Sequence, residues 1–428
     1  MVLGAGFGGL TFCQRFSHPD FRLTVVDRQN HHLFQPLLYQ VATAGLSAPD
    51  IAEPVRGILR GRQDITIRLG TVVGIRPGER RVLLEDSQLE YDYLVFALGG
   101  VTSYFGHPEW EQHAPGLKSL EDALRIRRDV LLAFERAENE TDESRRAAWM
   151  TVVVVGGGPT GVELAGAFAE LTTHVLRRDF RRIDPRQARV ILIEAGPRVL
   201  AHLPPALSDS AARQLKRLGV ELRLNQSVRH LSDGRVELAD GTVIAAGNII
   251  WAAGVAAHPL TGELASELDR AGRVKVTPDL SLPEHPEVFV IGDAALVVGP
   301  DGRPVPGVSP AAMQMAGHVA RIIRTEAAST KGRAGERPAF RYRDKGTMAT
   351  IGRSAAVAKI GRLEFSGFPA WLAWLFVHLM FLVGFDNKAV VFFNWLYAYV
   401  TYQRGARIII GTDRGGPQPA RPSPGIVG

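Results

Sequence analysis

Six glycines in two matching arrays are the residues of this chain best suited to holding phosphate. Gly4-Ala5-Gly6-Phe7-Gly8-Gly9 and Gly156-Gly157-Gly158-Pro159-Thr160-Gly161 both read G-x-G-x-x-G. Glycine turns tightly where a strand meets a helix, and it lets backbone N–H groups approach a pyrophosphate at the helix N-terminus. A single such pattern also occurs at ordinary strand–helix turns. Here each copy follows an apolar strand, opens a helix, and is answered by an acid at the end of the next strand. Asp27 closes FRLTVVD (21–27) and Glu194 closes ARVILIE (188–194). An acid in that place accepts from a ribose hydroxyl. Glu194 would repel a 2′-phosphate, so the second site favours NADH over NADPH, with Arg198 near enough to keep the phosphate alternative open.

The pairing extends beyond the loops. YDYLVFALGG (91–100), with Ala97 and Gly99, matches GNIIWAAGV (247–255), with Ala253 and Gly254: an apolar strand, small residues, then glycine. Gly4 and Gly99 are 95 positions apart, Gly156 and Gly254 98. Two units of one size with the same landmarks imply two dinucleotide-binding domains, FAD in the first and a nicotinamide dinucleotide in the second. EVFVIGDAA (287–295) adds a further strand ending in a glycine–acid turn. There Gly292 gives close approach, and Asp293 suits the ribityl or pyrophosphate region of FAD.

The elements that must position these residues are α/β throughout. Turn signals at RPGER (76–80), SDGR (232–235) and ADGT (239–242) join short alternating runs, which predicts small antiparallel hairpin layers. Residues 117–137 read as a charged helix, and RRDFRRIDPRQ (177–187) as an insertion between helix and strand. The predicted domains are 1–112 with 256–337, 113–255, a C-terminal region 338–411, and a disordered Pro/Gly tail 412–428. Only Val2 and Leu3 separate Met1 from the first glycine, so that strand is short and an upstream start stays open. The composition narrows the chemistry. A net charge of +6 and a pI near 9.6 suit an anionic surface, yet no nucleic-acid motif accompanies them. No histidine has metal-ligand spacing. The single cysteine, Cys13, allows neither an internal disulfide nor a cysteine redox pair.

With these motifs the chain resembles the flavoproteins with two dinucleotide-binding domains, and among them the type II, non-proton-pumping NADH:quinone oxidoreductases. The resemblance rests on GAGFGGL, HHLFQPLLYQVATAGL (31–46), GGGPTGVELAG, IGDAA, SPAAMQMAGH (309–318) and KGTMATIGRSAAVAKIG (345–361). It implies two Rossmann-like domains in a glutathione-reductase-like arrangement, with hydride passing from NADH to FAD and electrons then to a membrane quinone, menaquinone or ubiquinone. Around the flavin it implies Gln35, Pro36, Val73, Ala97 and Lys345 beside the first loop's residues. It places Glu163, in the first turn of the second loop's helix, between nicotinamide and flavin, where it assists proton delivery; a carboxylate there also simply suits the helix dipole. The family's A-Q-x-A-x-Q quinone motif falls on 313–318, where Gln314 and Ala316 fit and Met313 and His318 depart. Gln314 and His318 are therefore the residues expected to meet the quinone. A homodimer is permitted.

The C-terminal region answers the need to reach a quinone dissolved in lipid. WLAWLFVHLMFLVGF (371–385) and AVVFFNWLYAYVTYQ (389–403) are each shorter than the roughly 20 apolar residues that span a bilayer. Lys359, Arg362, Lys388, Arg404 and Arg407 flank them, and Trp371, Trp374, Trp395 and Tyr397 are ring types favoured at headgroup level. Two helices lying in the interface are predicted, a peripheral, monotopic anchor on the cytoplasmic face of the cell membrane. Two other readings use the same fold: a soluble NADH-dependent reductase of a ferredoxin-like carrier, and an NADH-binding flavoprotein that switches partners without turnover. The first has no use for residues 370–403, and the second has none for a quinone pocket.

Overall fold

The structure is a computed structural model that describes all residues other than 265, 301, 329–335, 383–384, 402–405 and 410–428. The predicted disordered tail and Arg404 lie outside the described residues. The chain divides into two compact units, one of Met1–Leu33, Ala52–Val101 and Val255–Lys345, the other of Phe34–Ile51, Thr102–Gly254 and Gly346–Gly428.

The first unit is built on a five-stranded parallel sheet in the order Val288–Val290, Leu94–Phe96, Val2–Leu3, Leu23–Asp27, Ile65–Leu69. Parallel strands are covered on both faces, which is why they read as continuous apolar runs. Val2 and Leu3 make the shortest strand yet hold the centre, both fully buried. The Phe7–Arg15 and Ser309–Ala328 helices pack together on this sheet. Phe12, Phe16, Phe96 and Phe289 are among the largest side chains of the core. Strands Val72–Arg76, Arg81–Leu84 and Gln88–Glu90 form the expected hairpin layer.

The second unit repeats the plan with a four-stranded parallel sheet, ordered Glu221–Leu224, Arg189–Glu194, Thr151–Val155, Asn248–Trp251. Its charged helix spans Leu120–Asn139 and starts at a reciprocal cap: Asp122 N–H donates to Ser119 Oγ at 3.1 Å, and Ser119 N–H to Asp122 Oδ2 at 2.9 Å. After the Pro159–Glu170 helix, a π-helical turn Leu171–Val175 leads into the arginine-rich insertion. A three-stranded antiparallel sheet, Thr347–Thr350, Ala356–Ile360 and Leu363–Ser366, precedes helices Phe368–Phe381 and Phe385–Thr401.

The boundaries differ from the expected ones. Residues 34–51 belong to the second unit because the Leu38–Ala42 helix packs on the Leu120–Asn139 and Pro159–Glu170 helices. The C-terminal sheet joins the same unit through Gly166, where a Cβ would stand 2.9 Å from Gly352 N. Residues 338–345 stay with the first unit, held by Phe340, whose N–H donates to Pro278 O at 2.7 Å and whose ring joins the core.

Candidate functional site

Each unit carries one glycine loop, and the two are built alike. In the first, Gly4 has φ +93°, and a Cβ there would lie 2.5 Å from Ala97 O; a Cβ on Gly9 would lie 1.8 Å from Gly4 O. In the second, Gly156 has φ +111°, with a Cβ 2.5 Å from Ala252 O, and a Cβ on Gly161 would lie 1.8 Å from Gly156 O. The first and last glycines are thus fixed by backbone collision. The middle ones are not: around Gly6 and Gly158 nothing lies within 4 Å of a Cβ. Each is the N-cap of its helix and carries no side-chain cap. Open space in front of uncapped N–H groups is the cradle a pyrophosphate needs, so both loops fit a dinucleotide. Phe7 and, in the second loop, Pro159 and Thr160 open the helices, the latter two exposed.

The two acids clamp their loops in one geometry. Asp27 Oδ2 accepts from Ala5 N–H at 2.6 Å and its Oδ1 from Gln29 N–H at 2.7 Å. Glu194 Oε2 accepts from Gly157 N–H at 2.5 Å and its Oε1 from Gly196 N–H at 2.6 Å. Both carboxylates therefore pin the second loop residue and the residue two beyond themselves, with lone pairs left for a ribose hydroxyl. Near Glu194, Arg198 Nη1 is buried without a hydrogen-bond partner among the described residues. In the first unit His32 supports the loop from behind. It is buried, its Nδ1 donates to Ala5 O at 2.9 Å, Phe7 lies edge-on to it, and burial lowers its pKa.

The other expected FAD residues of the first unit lie along the same chain segments. Ala97 and Gly99 follow the Leu94–Phe96 strand, Gly99 with φ +71°. Gly292, φ +73°, donates to Met315 Sδ at 3.2 Å and opens the turn that carries half-buried Asp293. Val73 and Lys345 are exposed. Gln35 and Pro36 fall in the second unit, where Gln35 Nε2 donates to Lys118 O at 3.2 Å.

The two residues expected to meet the quinone lie on the Ser309–Ala328 helix, where both bond to the 338–343 segment. His318 is buried, its Nε2 donates to Pro338 O at 3.0 Å, its ring meets Phe340 edge-on, and desolvation lowers its pKa. It is a core residue, because the 338–343 segment covers the face on which it sits. Gln314 spends its amide on the same segment: Nε2 donates to Arg343 O at 3.0 Å and Oε1 accepts from Arg343 N–H at 2.9 Å. With both ends committed to backbone, Gln314 fastens the segment.

Glu163 sits in the Pro159–Glu170 helix, in the second unit. It keeps partial exposure, yet the protein packed around its carboxyl raises its pKa to about 8; the Thr350 N–H, 3.5 Å away, opposes that only weakly. Cys13 is fully buried and its thiol is pushed up to about 12 by desolvation, so no dithiol relay operates.

One cavity escaped the sequence. About 110 Å³ in volume, it lies within the second unit between the π-helical turn and the apolar helices, lined by Tyr39, Gln40, Glu170, Trp371, Trp374 and Trp395 among others. Gln40 bridges two of its rings, accepting from Trp395 Nε1–H at 2.8 Å and donating to Tyr39 Oη at 2.9 Å. The buried Trp374 indole N–H has no hydrogen-bond partner among the described residues. His378 stacks on Trp374 at 4.2 Å, donates from Nδ1 to its carbonyl at 2.7 Å, and is held neutral by burial, its pKa lowered to about 4. The apolar letters of 371–385 and 389–403 announced a helix pair but not a ring-lined hollow beneath it.

Comparison with known proteins agrees with this construction. Residues 1–316 match the model of the pyridine nucleotide-disulphide oxidoreductase family. Type II NADH:quinone oxidoreductase Ndh of Mycobacterium tuberculosis is 45% identical, over 95% of this chain and 89% of that one. NdhA of the same organism is 42% identical, over 96% and 88%. The structure of NDH2 from Plasmodium falciparum in complex with NADH superposes with a TM-score of 0.86 over 96% of this chain and 99% of that one, and its 19% identity makes it a likeness of fold.

Proposed function

This chain belongs to the pyridine nucleotide-disulphide oxidoreductase family and, within it, to the type II NADH:quinone oxidoreductases, and on that premise we propose how its residues share the work. It is an FAD-dependent respiratory NADH dehydrogenase whose acceptor is a quinone. When bound, FAD supplies two-electron exchange between NADH and the quinone. The Gly4–Gly9 loop, Asp27, Ala97, Gly99, Gly292 and Asp293 hold FAD, with Val73 and Lys345 at the margin. The loop 156–161 and Glu194 hold NADH, with Ala253 and Gly254 beside them. The observation that carries this division is the matched carboxylate clamp, made twice with the same partners in the same order.

Quinone reduction takes two electrons and two protons, one proton more than a hydride carries. Glu163 holds a proton at its carboxyl up to about pH 8 and stands in the first turns of the NADH-loop helix, so it is the group suited to release that proton. The ring-lined cavity, walled by Tyr39, Trp371, Trp374 and Trp395, is a second place suited to a quinone ring beside the Gln314 and His318 motif.

The apolar helices bring that cavity to the lipid. Phe368, Leu372, Phe376 and Met380 recur every fourth residue and are 47%, 47%, 64% and 56% exposed; Phe392, Phe393 and Leu396 are exposed on the second helix. No described helix is long and apolar enough to cross a membrane. This stripe rests in the interface, on the cytoplasmic face where NADH is supplied. A soluble carrier reductase would leave it facing water. The same face is where two copies would pair, a state that sedimentation in detergent resolves.

The test is anaerobic reduction of the FAD-loaded protein by NADH, followed by a menaquinone or ubiquinone analogue in liposomes. The flavin should bleach with NADH and recover with quinone. Bleaching without recovery would refute a quinone acceptor.

A further inference from the structure

Resting on the assignment of NADH to the 156–161 loop, we propose that Phe105 is a stacking residue for the nicotinamide half of NADH. Phe105 and Gly106 have φ of +50° and +92°, and His107 N–H donates to Tyr104 O at 3.1 Å, so residues 104–107 form a type I′ turn. Such a turn demands left-handed backbone at both central positions, which Gly, Asn and Asp adopt readily. A bulky ring there is an outlier. Strain of this kind persists where the surroundings impose it, and it gathers at ligand sites.

The turn is anchored from both sides. Tyr104, Trp110 and Trp251 are buried, with Trp110 and Tyr104 at 5.4 and 5.6 Å from Trp251. His107 stacks on Trp110 at 4.2 Å, and Trp251 Nε1–H donates to Ser103 O at 2.7 Å. Phe105 is left out of this packing. It is 65% exposed and meets Trp251 only edge-on at 6.3 Å. Rigid neighbours thus force one exposed aromatic into a strained conformation and fix where its ring stands.

That place is the end of the Asn248–Trp251 strand. A Cβ at Gly254 would lie 2.6 Å from Phe105 Cζ, so the ring covers that glycine. A Cβ at Gly156 would lie 2.6 Å from Ala253 Cα, so the NADH loop abuts the same strand end. Sheet order supplies the direction. Thr151–Val155 is flanked by the Glu194 strand on one side and by Asn248–Trp251 on the other. Glu194 marks the adenosine ribose, and the pyrophosphate sits between at the Gly158 helix N-terminus. A dinucleotide drawn across these strand ends carries its nicotinamide toward 252–254. The ring held over Gly254 is a flat apolar platform on that side, and stacking on it orients the nicotinamide.

Binding of NADH and of ADP-ribose, which lacks the nicotinamide ring, tests this on the FAD-loaded full chain. Phe105→Gly relieves the left-handed strain and keeps the turn, so its melting temperature should hold or rise. NADH affinity should fall about tenfold, within the range of one aromatic stack, while ADP-ribose binds as in the wild type. Phe105→Tyr should restore NADH binding. Unchanged NADH affinity in Phe105→Gly, or equal loss of both ligands, overturns the proposal. Wild-type protein that binds neither ligand removes the NADH assignment and the proposal with it, a result distinct from the other two.

Discussion

Replacing Glu163 by glutamine keeps the shape of the side chain and removes its charge, which isolates what the desolvated carboxyl does to stability. In the unfolded chain this group titrates near 4.5; in the fold, burial lifts it to about 8 against a weak opposing N–H from Thr350. Between those values the folded state binds the extra proton, so stability falls as pH rises through that window. Below it both states are protonated and no difference arises. Above it the folded state must carry a desolvated charge, a penalty of about 5 kcal/mol at the ceiling. Glu163 keeps partial exposure, and solvent screening reduces the figure to roughly 2–3 kcal/mol. Glu163→Gln has no such penalty. Its melting temperature should therefore match the wild type near pH 5 and exceed it by about 3 °C at pH 9, measured by thermal unfolding of the FAD-loaded protein across that range. A gap that does not change with pH, or a wild type more stable than the variant at pH 9, would refute the assignment of a desolvated carboxyl.

Three further outcomes follow from the geometry. Gly161→Ala puts a Cβ 1.8 Å from Gly156 O, so the second loop must shift; flavin content should stay normal while NADH-dependent bleaching slows by about 100-fold, seen in anaerobic stopped flow. Leu372→Glu with Phe376→Glu charges the exposed stripe; co-sedimentation with vesicles should drop about tenfold or more with turnover of NADH by a soluble acceptor retained, and undiminished vesicle binding would count against the anchor. His318→Ala removes a buried ring and leaves Pro338 O without its donor, so denaturant unfolding should show a loss of about 2–4 kcal/mol while the KM for quinone stays near wild type; a selective rise in that KM would return His318 to the quinone site.

What was legible in the sequence and what was not follow from how far each feature reaches along the chain. The glycine loops are decided within a few residues, since the collisions at Gly9 and Gly161 are with carbonyls five positions earlier. Local chemistry of that range is visible in letters. The placing of 34–51 depends on which apolar surface the Leu38–Ala42 helix finds, and every side of FQPLLYQVATAGL offers one. Gln314 and His318 share a helix face at the spacing a quinone motif needs, but whether that face is open turns on residues 338–343 folding back over it, a long-range event with no local signal. Phe105 is the sharpest case. Phe-Gly reads as a turn because of its glycine, yet the left-handed phenylalanine arises from tertiary packing around Trp251 and is invisible in the turn itself.

The two acids show why the legible part was also incomplete. Their position at the strand ends marks them for a ribose. In the structure each first satisfies two backbone N–H groups, one in the glycine loop and one just beyond the strand. A loop of glycines has little side-chain packing to hold it and loses much conformational freedom when ordered. The carboxylate supplies the missing constraint. Ribose recognition and loop geometry thus rest on the same atoms. Substituting Asp27 or Glu194 should disturb the phosphate cradle as well as the sugar contact, and the loss should exceed that of one hydrogen bond. Had the acid served the ribose alone, its amide variant would weaken binding and leave the loop intact; exchange protection of the Ala5 and Gly157 amides separates the two cases.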